Sequence, residues 1–291
     1  MKINEIKKEF PIFKQKIRGK PLIYLDSANS SQKPKVVIDE ISRFYETEFS
    51  NVGRSVHTLA VKATNKFEET RDLVKSYINA KHREEIIFTK GATEAINLVA
   101  NTYGEKFVKA GDEIIVTELE HHSNYVPWHY LREKKGAVIK FASVNDNGEV
   151  DINEFKKQIS DKTKMIAFTH ISNVTGTIMP VKKIVDLAKT KNIPVLIDGT
   201  QGAPHSILDV QDLNCDFYAI SCHKMYGPNG LGILYAKKKW VDELPPYQGG
   251  GGMISEVKKN EITYADSPTK FEAGTMQTAE VVAFAKSIKF I

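Results

Sequence analysis

Lys224 stands in "YAISCHKMYGPNGLGILY", between one apolar run and a second that carries glycines. An amine at the tip of a buried strand is desolvated, loses its proton readily and becomes a nucleophile toward aldehydes; a solvated lysine is the plainer reading of that position taken alone. Asp198 closes the apolar run of "IPVLIDGTQGAPH", where a carboxylate needs a cation or a strong donor. Its alternative role is to cap a helix after the strand. In "FTKGATEAINLV" a strand ends, Gly91 permits a turn, and Ala92 and Thr93 open a helix whose free N–H groups and positive dipole end suit a phosphate. His121, in "TELEHHSNYVPW", follows another apolar run; an imidazole there can lie on an aromatic ring or move protons near neutral pH. Asn173, Gln201, Ser221 and His223 are further polar residues just past apolar runs. An amine, a carboxylate and a phosphate-binding helix start together meet the needs of one cofactor, pyridoxal phosphate, through its aldehyde, its pyridinium nitrogen and its phosphate.

These residues can meet only if the intervening chain is an α/β unit. Short apolar runs alternate with amphipathic stretches: "EIIFT", "DEIIVTE", "AVIKFASV", "KMIAFTH", "IPVLID", "FYAIS" and "GILYAK" read as strands, and "ATEAINLVANTYGEKF", "YVPWHYLREKKG", "DINEFKKQIS" and "VKKIVDLAKTKN" as helices. That order predicts a mostly parallel sheet with helices on both faces, whose ligands gather at the carboxyl ends of the strands. Residues 1 to 22 are charged and amphipathic and predict a helix and arm outside the sheet, leaving 23 to 291 as the large domain. "TAEVVAFAKSIKFI" predicts a helix whose apolar face, if exposed, would invite aggregation; this suggests a chain that continues past Ile291.

Bulk properties narrow the partners. The chain has 291 residues with 41 basic and 36 acidic side chains, a net charge of +5, and its lysines are scattered instead of clustered, which argues against nucleic acid. Cys215 and Cys222 form no CxxC pair, so a disulfide framework or zinc knuckle is not expected and a reducing, cytoplasmic setting fits. No apolar run approaches the roughly 18 residues of a membrane span, and "MKINEIKKEF" lacks the core of a signal peptide. Neither GxxxxGK[ST] nor a helix-opening GxGxxG is present, which disfavours a nucleotide site.

The series "YLDSANSSQKP", "GATEAINLV", "ELEHHSNYVPW", "HISNVTGTIMPV", "VLIDGTQGAPH", "DFYAISCHKMYGPNGLGILY", "GGGGMI" and "FEAGT", in that order, resembles the SufS-type (group II) cysteine desulfurases of the class V aminotransferase superfamily. The resemblance implies the fold-type I large domain, with a seven-stranded-type sheet, and assigns residues 1 to 22 to a small domain otherwise absent from this sequence. It implies that Lys224 binds the cofactor aldehyde as a Schiff base and later moves the α-proton, that Asp198 pairs with the ring nitrogen, and that His121 stacks on the ring. It further implies that Gln201 and Asn173 bond the ring oxygen and the neighbouring carboxylate, that Ala92, Thr93, Ser221 and His223 hold the phosphate, and that Thr275 reaches the phosphate of a second subunit in a homodimer.

By the same resemblance the substrate is L-cysteine, with L-selenocysteine a further candidate. The products are L-alanine and a protein persulfide whose sulfur passes to an acceptor of the SufE or SufU type for iron–sulfur cluster assembly. The family's nucleophilic cysteine lies downstream of "FEAGT" and is not among the residues here; Cys215 and Cys222 read as packing residues. "YQGGGGMI" reads from composition as a flexible surface loop and by resemblance as part of a dimer interface. Alternatives are a selenocysteine lyase or kynureninase-like enzyme of the same superfamily, or a non-catalytic cofactor-binding fragment.

Overall fold

The computed structural model describes residues 3–53 and 55–291. Its centre is a seven-stranded sheet of β1 (Ile86–Thr89), β2 (Glu113–Thr117), β3 (Val138–Ala142), β4 (Thr163–Thr169), β5 (Val195–Asp198), β6 (Phe217–Ser221) and β7 (Gly232–Ala236), in the spatial order β1-β7-β6-β5-β4-β2-β3. Every pairing is parallel except those of β7, which runs against both β1 and β6. Six strands therefore deliver their carboxyl ends to one edge, and β7 begins there.

Alternation along the strands sorts the core into two layers. Ile87, Ile114, Val116, Met165, Leu196, Phe217 and Leu234 share one cluster with the helix α3 (Ala92–Phe107), through Ile96 and Val99. Phe88, Ile115, Ile166, Phe168, Ile197, Tyr218 and Ile233 share the other, with Phe67 and Val74 of α2 (Thr58–Tyr77). Sheets buried on both faces need such uninterrupted apolar strands, and all residues of β1, β2, β5, β6 and β7 are buried. The helices α4 (Val126–Lys135), α5 (Ile152–Gln158) and α6 (Val181–Lys189) complete the crossovers. Asp151 starts α5 as its cap, accepting from Asn153 N at 2.9 Å.

One sequence expectation is revised, and one element was not foreseen. The final helix α7 (Thr278–Phe290) does not present a free apolar stripe: it packs on α1 (Lys35–Thr47) and α2, burying Ala279 and Val282 with Phe44 and Ala63, while Val281, Phe284 and Ile288 join the larger core. Its apolar face is thus spoken for within the chain. "ISEVKKNEITY" also forms an exposed antiparallel hairpin, Ile254–Lys258 with Glu261–Tyr264, that sequence reasoning passed over although its alternation and Lys-Asn turn were there to read. The first segment is a helix over Ile3–Lys8, a turn over Pro11–Lys14 and a two-residue ladder over 16–21, outside the main sheet. Among the described residues no helix is long and apolar enough to cross a membrane.

Candidate functional site

At the carboxyl edge of the sheet lies a cavity of about 200 Å³. Register shows why its walls come together: Thr169 of β4 pairs with Asp198 of β5, Asp198 with Ala219 of β6, and Ser221 at the tip of β6 with Gly232 of β7. The β5 and β6 tips are therefore immediate neighbours, and the turn after β6, Cys222–Lys224, brings Lys224 into the wall of the cavity that Asp198 also lines. Ala92, the first residue of α3, donates its N–H to Ser221 Oγ at 3.1 Å, so the helix start is docked on the β6 tip. Gly232 faces the backbone of Gly91 so closely that a Cβ there would lie 2.4 Å from it. This packs the turn before α3 against β7 without a side chain between them.

Electrostatically the cavity sets a half-buried amine against a buried acid. Burial pulls the Lys224 ammonium below the ordinary lysine range, and the nearby Asp198 carboxylate opposes that fall without reversing it. Asp198 is only 3% exposed and its Oδ1 accepts from Thr200 N at 3.0 Å. Burial, together with the positive charges of Lys33 and Lys224, also lowers His223, keeping its ring neutral more readily. His121 caps the turn His122–Asn124, its Nδ1 accepting from Ser123 N at 3.1 Å, and its ring stands at the exposed rim of the cavity. Beneath it, Glu120 accepts from Thr117 Oγ1 at 2.5 Å, Asn124 Nδ2 at 2.6 Å and Thr169 N at 3.0 Å. Dense surroundings nonetheless push its carboxyl up to about 8.

Nine residues singled out from the sequence line this one cavity: Ala92, Thr93, His121, Asn173, Asp198, Gln201, Ser221, His223 and Lys224. Thr275 lies elsewhere, in a cleft it shares with Asn51, Gly252 and Gly274. His122, also at a strand end, does not line the cavity. Sequence reasoning missed Asn29, Ser123, Thr169, Ile171 and Thr200 on the wall. Thr169 carried a signal, as the polar end of the run "KMIAFTH", whereas Asn29 arrives through the fold of an irregular loop whose Ala28 carbonyl accepts from Gln201 Nε2 at 2.6 Å.

The donor set suits pyridoxal phosphate. An amine lowered by burial, a buried carboxylate, a helix start beside two hydroxyl residues, and the buried Thr200 Oγ1, which has no hydrogen-bond partner among the described residues, all face one space. Neither thiol can serve there as a nucleophile. Both are fully buried, and burial pushes Cys215 up to about 12 and Cys222 well above its ordinary value.

Residues 23–291 match the aminotransferase class-V family model, and the chain belongs to that family. Its likeness within the family is to cysteine desulfurases. It is 46% identical over 286 residues to a probable cysteine desulfurase of Mycolicibacterium paratuberculosis, covering 98% of this chain and 42% of the relative. It is 44% identical over 290 residues to a cysteine desulfurase of Pectobacterium atrosepticum, covering 99% of this chain and 71% of that one. The apo structure of a cysteine desulfurase from Thermococcus onnurineus superposes with a TM-score of 0.93 at 35% identity, over 99% of this chain and 70% of that chain. The chain thus spans less than half the length of the first relative and about 70% of the other two.

Proposed function

We propose that this protein is a pyridoxal phosphate-dependent cysteine desulfurase of the SufS type, converting L-cysteine to L-alanine and passing the sulfur to a thiol as a persulfide. The observation that carries the reading is Lys224 and Asp198 lining one cavity at adjacent strand tips, with burial lowering the lysine. When bound, pyridoxal phosphate supplies an aldehyde that condenses with amines and a ring that takes up electron density from the substrate's Cα.

The chain's own groups take defined parts. Lys224, whose ammonium is lowered by burial, would offer the amine and then hold or return the proton at Cα. Asp198, anchored by Thr200 N–H, would hold the ring nitrogen and favour its protonated form. The α3 start at Ala92 and Thr93, with Ser221 and His223, would bind the phosphate; His121 would cover the ring, and Gln201 and Asn173 would orient the ring oxygen and carboxylate. The accepting thiol is neither Cys215 nor Cys222, since both stay protonated and enclosed. Thr275, outside the cavity, is assigned to the phosphate of the second subunit of a homodimer, and the sulfur goes onward to a SufE- or SufU-like acceptor for cluster assembly.

The test is spectroscopic and chemical. Protein incubated with pyridoxal phosphate should be yellow, and Lys224→Ala should lose the colour on washing. L-Cysteine with an added thiol should yield alanine and persulfide in equal amounts. Failure of the wild-type protein to retain the cofactor would refute the proposal, and colour without sulfur release would move the substrate assignment to another member of the family.

A further inference from the structure

The carbonyl oxygen of His223, on the peptide that leads into Lys224, accepts three hydrogen bonds. They come from Ser31 N at 3.2 Å, Ser31 Oγ at 2.8 Å and Lys33 Nζ at 2.7 Å. A carbonyl has two lone pairs, so three donors, one of them an ammonium, overdetermine its direction. Lys33 Nζ also donates to Ser31 O at 2.7 Å, closing the segment on itself. On the other side of Lys224, Tyr226 N donates to Ser31 Oγ at 2.8 Å, and Ser30 Oγ meets His223 Nδ1 at 3.1 Å. Residues 30 to 33 therefore grip the turn both before and after the lysine. Of Ser30, Ser31 and Lys33, none lines the cavity.

The turn needs holding. Tyr226 sits at φ 60°, a left-handed conformation unfavourable for a side chain of its size, so the turn gains by relaxing if released. Relaxation would carry Lys224 toward water and undo the burial that lowers it. We propose that Lys33 is a positioning residue: through the His223 carbonyl it fixes the turn that keeps the Lys224 amine half-buried beside Asp198. The inference rests on the reading of Lys224 as the cofactor-binding amine. The groups that face this amine are Asp198 from β5, His121 from the loop after β2 and His223 from the turn itself, with Lys33 behind the turn; burial lowers the Lys33 ammonium to about 8, so it is a cationic donor at pH 7 and loses its charge in the upper part of the range.

The experiment follows capture of pyridoxal phosphate by the cofactor-free full chain, from the rise in visible absorbance between pH 6 and 10, with Lys224→Ala as the blank. With Lys33→Met, the pKa governing capture should rise by about one unit toward the ordinary lysine value, making capture at pH 7 about tenfold slower. Lys33→Arg should stay within about threefold of wild type, because a cationic donor remains. Wild-type rate and pH profile in Lys33→Met would overturn the inference, as would a slowing with no change in the profile, which marks general loosening. Should Lys33→Met not fold, Ser31→Ala removes one donor to the same carbonyl and the acceptor for Tyr226 N; an unshifted profile there is equally fatal. If wild type captures nothing beyond the blank, the cofactor reading itself fails, an outcome distinct from a captured cofactor indifferent to residue 33.

Discussion

Glu120 shows how much a single side chain near the site depends on its surroundings. Three donors favour its carboxylate, yet enclosure and the charge of Asp198 lift it from its ordinary 4.5 to about 8. A raised acid binds its proton in the folded state where the unfolded chain has already released it, so the wild type loses stability as pH climbs from about 4.5 to about 8. Glu120→Gln removes that dependence. Thermal melts across this window should show the variant gaining on wild type as pH rises, with a constant difference above about 8; parallel curves would show that the carboxyl stays ionised throughout. Asp198 and Lys224 were legible from sequence because each ends or follows a run of apolar residues, where a charge is conspicuous. Thr200 was not: its hydroxyl matters only because the loop after β5 turns it inward, which no pattern in "DGTQG" reveals.

At the level of elements, all seven strands of the main sheet were readable as apolar runs, and the helices α3 to α6 as amphipathic stretches. What could not be read was their order, and with it the reversal of β7, because periodicity carries no direction. That reversal brings Gly232 against Gly91, where a Cβ would meet backbone instead of a movable side chain. Gly232→Ala should therefore displace the α3 start, lowering stability by about 1–3 kcal/mol in denaturant titrations and weakening cofactor retention more than the stability loss explains. Unaltered cofactor affinity in a destabilised variant would disconnect this contact from the site. Gly199 is constrained for a different reason: its Cβ would fall 1.8 Å from the buried Tyr218 ring, whose hydroxyl lies 2.7 Å from His170 Nδ1. The terminal helix was predicted correctly as a helix but with its face unmatched, since only the fold shows α1 and α2 waiting for it.

Across the whole molecule, one buried ion pair ties distant segments together. Arg71 of α2, 2% exposed at its side chain, meets Glu272 through Nη1–Oε1 at 2.7 Å and Nη2–Oε2 at 2.9 Å, and Glu272 Oε1 also accepts from Phe88 N of β1. This holds the stretch before Thr275 against the sheet edge. Arg71→Met leaves a buried carboxylate without its cation and should cost about 3–5 kcal/mol in urea unfolding. Adding Glu272→Gln should return at least about 1 kcal/mol of it. Strict additivity of the two substitutions would deny the pair any role in fastening that stretch.

The Phe10, Tyr226 and Phe290 rings meet edge to face, with centroids 5.6 to 5.8 Å apart. Tyr226 lies two positions past Lys224, so the cavity at the sheet edge has a mechanical lever reaching remote sequence at either side. On the proposed role of Lys224, a protease that nicks the chain near Phe10, or a tag that pries Phe290 loose, should alter cofactor capture before any loss of secondary structure.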